Sequence, residues 1–212
     1  SNLPSGFSVE GASMIGAGKW TFLADDLANV KITTPANFSG EASFDLKYVT
    51  TEREGDSKTH FTDTVKIFVS PTAEATVNDS SSGNEDVLFK VDLGINHQNG
   101  DTNETLEQVR IKASDVDGKD FMLYMDSNGS NPLSGLAKTN ISGTDYYVLT
   151  AAQADSIYAK NTTEHDIGAG DFTFEVGYTV KDTETSQNTF DTKDGTFNYN
   201  LTINAVTDTP TA

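Results

Sequence analysis

Apolar side chains recur at every second position in five separate segments of this chain, and that period decides the fold class. FDLKY (44–48) places Phe44, Leu46 and Tyr48 on one side, and TVKIFV (64–69) does the same with Val65, Ile67 and Val69. VLFKVDL (87–93) alternates Val87, Phe89, Val91 and Leu93. FTFEVGYTV (172–180) alternates Phe172, Phe174, Val176, Tyr178 and Val180, and NYNLTI (198–203) alternates Tyr199, Leu201 and Ile203. A period of two belongs to strands with one buried and one wetted face. Clusters of Gly, Asn, Asp and Ser separate the segments, and REGDS (53–57) and DTKDG (191–195) are expected as hairpin turns. LADDLANV (23–30) and LTAAQADSIYAK (149–160) break the period, and each predicts a helical turn or short helix. Regularly spaced strands divided by turn clusters indicate an all-β chain of antiparallel sandwiches.

The chain also repeats itself. GEASFDLKYVTTE (40–52) aligns with GDFTFEVGYTVKD (170–182), matching Gly40 to Gly170, Phe44 to Phe174, Tyr48 to Tyr178 and Glu52 to Asp182. TVKIFVSPTAEAT (64–76) falls on NYNLTINAVTDTP (198–210), with Glu74 on Asp208. DLANVKI (26–32) resembles QADSIYA (153–159), and FSVE (7–10) resembles FMLY (121–124). A repeat of this kind marks tandem units. The second unit carries two further strands in front, VLFKVDLGI and LEQVRIKAS, that have no counterpart in the first. The expected organisation is therefore residues 1–74 as the C-terminal part of one sandwich lacking its N-terminal strands, and 75–212 as a second sandwich. Within the second, MDSNGSNPLSGLAKTNISGTD (125–145) reads as a long polar loop. Long loops on a rigid sandwich often carry recognition.

Charge narrows the function. The 212 residues hold 32 Asp and Glu against 14 Lys and Arg, a formal net charge of -18. That opposes nucleic-acid binding, which needs cations against phosphate, and docking on anionic membranes. Aromatics make up 9% of the chain and fall on the alternating positions, so it forms a core and is not a disordered acidic tail. With no cysteine, disulfides and thiolate metal sites are excluded. No apolar run is long enough to span a bilayer, and the opening SNLPSGFSVE is not a signal peptide. His60, His97 and His165 lie far apart without metal-ligand spacing. No nucleophile elbow, phosphate loop or His beside a candidate nucleophile is present, so no enzyme is expected. Paired carboxylates as in glycoside hydrolysis are the remote alternative, as an accessory domain.

GKWTFLADDLANVKITTPANFSGEASFDL resembles the Ig-like or cadherin-like repeats of very large bacterial surface adhesins, the RTX adhesins and Bap-type biofilm proteins. In that pattern an aromatic precedes a Leu-x-x-x-x-Leu turn, then Pro-x-Asn-x-x-Gly, then an alternating strand. VSPTAEAT and INAVTDTP are similar to the unit ends of the family, and Glu85-Asp86 followed by DTNETLEQV to the opening of its next unit. Thr76 stands where the family has Pro, and the glycine-rich nonapeptides of the RTX solenoid are absent. The resemblance implies tandem sandwiches outside the cell, at the bacterial surface, serving attachment and biofilm formation.

It also implies Ca²⁺, and the acid clusters suit that ion. Ca²⁺ takes six to eight oxygen ligands and needs neither Cys nor His. VSPTAEATVNDSSSGNED (69–86) reads as a connection between units, yet it is loaded with acids. Carboxylates about 4 Å apart repel by about 1 kcal/mol in water and about 4 kcal/mol near a protein surface. Glu74 with Asn84, Glu85 and Asp86, closed by Asp101 and Glu104, is the expected cage, with Glu74 beside Glu85 or Asp86. Asp208, in the place of Glu74, serves the next joint. Asp115 and Asp117 in DVDGKD, and Asp182, are further candidates; Gly118 falls fourth in that stretch, so no EF-hand is present. Expected partners are neighbouring sandwich domains of the same chain and a cell-surface glycan or peptide. Two roles stay open: a spacer, or a Ca²⁺-dependent carbohydrate- or peptide-binding domain.

Overall fold

The computed structural model describes residues 3–97, 102–162 and 170–207. The chain is mostly β, 54% strand against 9% helix, in several antiparallel sheets, as the alternation requires. It divides into two compact units, Ser1–Thr72 with Thr183–Asp191, and Ala73–Asp182 with Thr192–Ala212.

In the first unit β1 (Ser8–Glu10) pairs with β4 (Lys31–Thr33), and β2 (Ser13–Gly16) with β3 (Lys19–Thr21). β5 (Gly40–Thr51) and β6 (Ser57–Val69) form a long ribbon through the REGDS turn. Each of these is a two-stranded sheet. Leu3, Phe7 and Ala42 make a small core, with Trp20, Ile32, Phe38 and Phe44 half-buried around it. Phe7 meets Phe38 edge to face at 4.9 Å. LADDLANV supplies a 3-10 turn at Ala24–Asn29 whose Leu23 and Leu27 stay exposed.

The second unit contains β7 (Ser80–Asn84), β8 (Phe89–Lys90), β9 (Glu104–Lys112), β10 (Phe121–Tyr124), β11 (Lys138–Ile141), β12 (Thr144–Leu149), β13 (Tyr158–Asn161) and all but the hairpin end of β14 (Gly170–Glu184) and β15 (Thr189–Asn204), that end, Thr183–Asp191, belonging to the first. Six form one sheet in the order β11-β12-β9-β14-β15-β7, and three form another in the order β10-β13-β8. Both sheets feed a single core: Phe121, Leu123 and Ala159 from the small sheet, and Val109, Ile111, Phe174, Val176, Tyr199 and Leu201 from the large one.

Several local readings need correction. The 69–86 stretch is not a free connection: Thr76 bridges Asn96, and Ser80–Asn84 pairs in parallel with Asn200–Asn204. DTKDG lies within β15, and the chain reverses instead at 185–188, where Asn188 takes φ 52°. Val87 is exposed, so the inward alternation of VLFKVDL starts at Phe89. α2 (Ala151–Ala154), closed by a Thr150/Gln153 capping box, gives way to β13, so only the start of 149–160 is helical. Residues 125–145 are not one loop: they hold a 3-10 turn with buried Leu133, then β11 and the start of β12.

The repeat has a geometric counterpart. In the first unit Ser43 pairs with Lys66 and Glu41 with Phe68. At the matching positions of the second, Thr173 Oγ1 donates to Asn200 Oδ1 at 3.1 Å and Thr202 Oγ1 to Asp171 Oδ1 at 2.6 Å. Over these positions the two ribbons share one register; β5–β6 then shifts at a bulge between Asp45 and Lys47.

Gly83 in β7 sits where Phe89 packs: a Cβ there would lie 2.1 Å from the Phe89 ring. Gly83→Ala forces that ring aside, and the expected loss is about 1–3 kcal/mol of unfolding free energy in urea melts. A loss below about 0.5 kcal/mol would contradict this packing.

Candidate metal centres

The strands carry the predicted acids to opposite ends of the second unit. Asp182 of β14 pairs with Glu104 of β9, whereas Asn84 of β7 pairs with Asn204 of β15. About thirteen strand residues at roughly 3.3 Å each separate the two levels, so roughly 40 Å lies between them. The expectation that Glu74 lies beside Glu85 or Asp86 is therefore wrong. Closeness along the chain was misleading because residues 73–84 run extended along the unit.

At one end Glu104 and Asp182 face each other on neighbouring strands, 2% and 1% exposed. The exposed Glu74 joins them through its backbone: its N–H donates to Glu104 Oε1 at 2.5 Å. Glu74 thus reaches Glu104 through its backbone N–H and not through its carboxylate, and Asp182 lies opposite Glu104. Like charges directly opposite on a sheet destabilise it, and burial raises the cost by stripping their water. Asp101 lies outside the described residues.

At the other end Glu85 is 3% exposed. Its N–H donates to Asn204 O at 2.9 Å, and its Oε1 accepts from Val206 N at 2.7 Å. Oε2 is buried and has no hydrogen-bond partner among the described residues. Asp86 takes φ 64°, and its N–H donates to Asn161 Oδ1 at 3.0 Å, bringing a buried amide that the sequence reading missed. Asn84 closes β7 beside them. Asp208 lies outside the described residues.

Asp115 and Asp117 serve the protein instead. Asp115 sits in α1 (Ala113–Val116), where Oδ2 accepts from Glu175 N at 3.1 Å and Oδ1 from the Ser114 hydroxyl at 3.1 Å. Asp117 accepts from Lys138 Nζ at 2.5 Å and from the Tyr147 hydroxyl at 2.7 Å. Partial burial pushes the Asp117 carboxyl up, but the Lys138 and Tyr147 hydrogen bonds and the Lys138 charge outweigh it and hold its pKa below the ordinary value. With their oxygens spent on these donors, the pair is a poor Ca²⁺ cage. Beside Asp117 lies a cavity of about 360 Å³, lined also by Lys119, Phe121, Leu133, Ser134 and Tyr147. Glu184, also missed, accepts from Ser186 N at 2.8 Å and the Ser39 hydroxyl at 3.3 Å. Hydrogen bonds from Ser186, then Ser39, hold its carboxyl below the usual range.

Among the described residues no three Asp, Glu or His side chains gather closely enough to hold a metal ion by themselves. The donor chemistry at both ends still suits a hard cation: oxygen ligands only, buried carboxylates, and at Glu85 an oxygen lacking a donor. A complete shell needs carbonyls, water or residues beyond these.

The Asp117 network makes stability depend on pH. Because its folded pKa is lowered, its contribution is full above the ordinary value of 3.8 and is lost as pH falls through the folded value. Asp117→Asn is expected to lower unfolding free energy by about 1–2 kcal/mol at pH 7. The gap from wild type should close in acid; a gap unchanged down to pH 2 would contradict the assignment.

Comparison with known proteins adds no relative: no family model, no curated protein and no solved structure matches the chain.

Proposed function

We propose that the chain is a non-catalytic, Ca²⁺-stabilised module of a large extracellular bacterial adhesin, built from tandem Ig-like sandwiches. In this reading it holds other parts of the adhesin at a distance from the cell and supports attachment and biofilm formation. The observation that carries the reading is the burial of carboxylates at both ends of the second unit. Glu104 and Asp182 lie opposite one another, and Glu85 keeps one buried oxygen without a donor. Burying like charge on opposed strands costs free energy, and a divalent cation that binds only the folded state would offset that cost. Glu104 and Asp182, with Glu74 beside them, would hold one ion; Glu85, with Asp86 and Asn161 beside it, would hold another. The net charge of -18 and the absence of cysteine suit a protein stabilised by Ca²⁺ rather than by disulfides. The resemblance of the 18–46 segment to adhesin repeats supplies the adhesive role.

A second reading, a Ca²⁺-dependent carbohydrate- or peptide-binding domain, draws support from the cavity beside Asp117. Its volume of about 360 Å³ falls in the range of small-ligand sites. Binding on glycan or peptide arrays that is lost in Asp117→Asn would favour it over the spacer.

Calcium removal tests the main reading. At a free ion concentration a hundredfold above Kd, binding adds about 2.7 kcal/mol to folding. The melting temperature should therefore rise by roughly 5–15 °C between EDTA and millimolar CaCl₂ at matched ionic strength. Glu85→Gln and Asp182→Asn should each reduce that rise. Equal melting with and without the ion ends the calcium reading.

A further inference from the structure

The first strand of the second unit, β7, is bonded to its last, β15, and the two run parallel over five pairs, from Ser80 opposite Asn200 to Asn84 opposite Asn204. The pairings of β9 with β12 and β14, and of β13 with β10 and β8, are antiparallel. Direction decides what a pull along the chain does. The chain reaches β7 at the Ser80 end of the pair and leaves β15 at the Asn204 end. Tension therefore slides the two strands past one another along their axes and loads every bond between them at once. The ladder is also extended at both ends. Asn200 N–H donates to Asp79 O at 2.7 Å, and Glu85 N–H to Asn204 O at 2.9 Å. Val206 N–H donates to Glu85 Oε1 at 2.7 Å, so the acid side chain carries the pairing past the end of both strands. In the middle, the hydroxyl of the buried Tyr199 meets Ser81 Oγ and lies 3.0 Å from Asp92 O, while Asp92 N–H donates to Ser81 Oγ at 3.1 Å. The Phe89 ring fills the space over Gly83 and keys β7 to the small sheet.

We infer that the β7–β15 pair is a mechanical clamp, which carries tension along the chain in shear and keeps the core of the second unit shut under load. Bonds broken together resist a pull more than the same bonds broken one after another. Forced unfolding follows the rate of crossing that barrier and not the equilibrium stability. The clamp guards the core because β15 carries part of it. Tyr199, Leu201 and Ile203 are buried, and they sit on the very residues that β7 grips. A sequence as polar as SSSGN contributes little apolar burial to the unit, so its place is explained by the ladder it makes and not by packing. The inference needs only the fold of the second unit and stands whether or not the chain binds Ca²⁺ or serves in an adhesin.

Single-molecule pulling in two directions tests it on the 212-residue chain. The sequence has no cysteine, so a pair of introduced cysteines supplies unique handles. Val77→Cys with Val206→Cys, both at exposed positions, grips the pair at opposite ends and loads it in shear. Val77→Cys with Asn198→Cys, also exposed, grips it at one end and peels it bond by bond. Both are pulled at one speed in EDTA, so that failure of the clamp and failure of the calcium reading stay separate. The same bonds are present in both, and the difference in force reports direction alone. The shear force is expected to be at least about twice the peeling force, because backbone bonds worth about 1 kcal/mol each fail together in one case and singly in the other. Rupture in shear should also open the core and release roughly 400 Å of chain at about 3.3–3.6 Å per residue. A force ratio below about two, or a short release that leaves the core closed, overturns the proposal. Should either variant melt below the unmodified chain, Thr76→Cys with Thr207→Cys repeats the shear pull and Thr76→Cys with Thr196→Cys the peeling pull, read by the same two criteria.

Discussion

The β14–β15 ribbon is the member on which the second unit depends. Its inward side chains, Phe174, Val176 and Val180 on one strand and Tyr199, Leu201 and Ile203 on the other, are buried almost completely. β7 and β9 attach directly to it, β12 attaches through β9 and β11 through β12, and the small sheet packs its apolar residues against the same face. Burying a large aliphatic or aromatic side chain contributes about 1.5–3 kcal/mol, so this row outweighs any single polar contact in the unit. It also fixes the polar ends. Because side chains alternate strictly, a shift of one residue would turn the whole apolar row to solvent. The register that buries the row is therefore the register that sets Asp182 against Glu104 at one end and Asn204 against Asn84 at the other.

This explains why acids are buried in a chain with ample surface for them. The core row cannot move, so the carboxylates at its ends are held where they stand. In the proposed reading, like-charged, desolvated groups held in fixed positions would be a preorganised site, and a bound cation would recover the energy that folding spends on them. Asp117 shows the contrasting solution. It meets Lys138 and Tyr147, its charge is satisfied within the protein, and no cation is needed there.

β5, β6, β9, β14 and the later part of β15 were legible as strands from the sequence, whereas VLFKVDL forms only the two-residue β8 and most of the short strands were not read as such. The common register of β5–β6 and β14–β15 was legible as a repeat. Glu74 and Glu104 were named together in the sequence as carboxylates of one cage, but they meet through the Glu74 backbone N–H, a contact that the acid side chain of Glu74 does not explain. The path of residues 73–84 was not. Ser80–Asn84 reads SSSGN, with no apolar alternation and low strand propensity. It becomes an edge strand because Asn200–Asn204 offers an open ladder and because Gly83 leaves room for the Phe89 ring. Such pairing is tertiary and leaves no local signature. DTKDG failed for the same reason: five turn-forming residues were drawn into a long strand by their partners. Asn161, at the end of β13, could have been noticed only as a polar residue closing a short strand.

The central claim is that the buried carboxylates at the two ends are cation ligands. A crystal structure of the chain grown with CaCl₂ tests it most directly. The account predicts an anomalous peak within about 2.3–2.6 Å of a Glu104 or Asp182 oxygen, and another at Glu85 Oε2, each with six to eight oxygen neighbours. Carboxylates at both ends joined instead by a shared proton, or satisfied by a Lys or Arg side chain with no ion present, would contradict it.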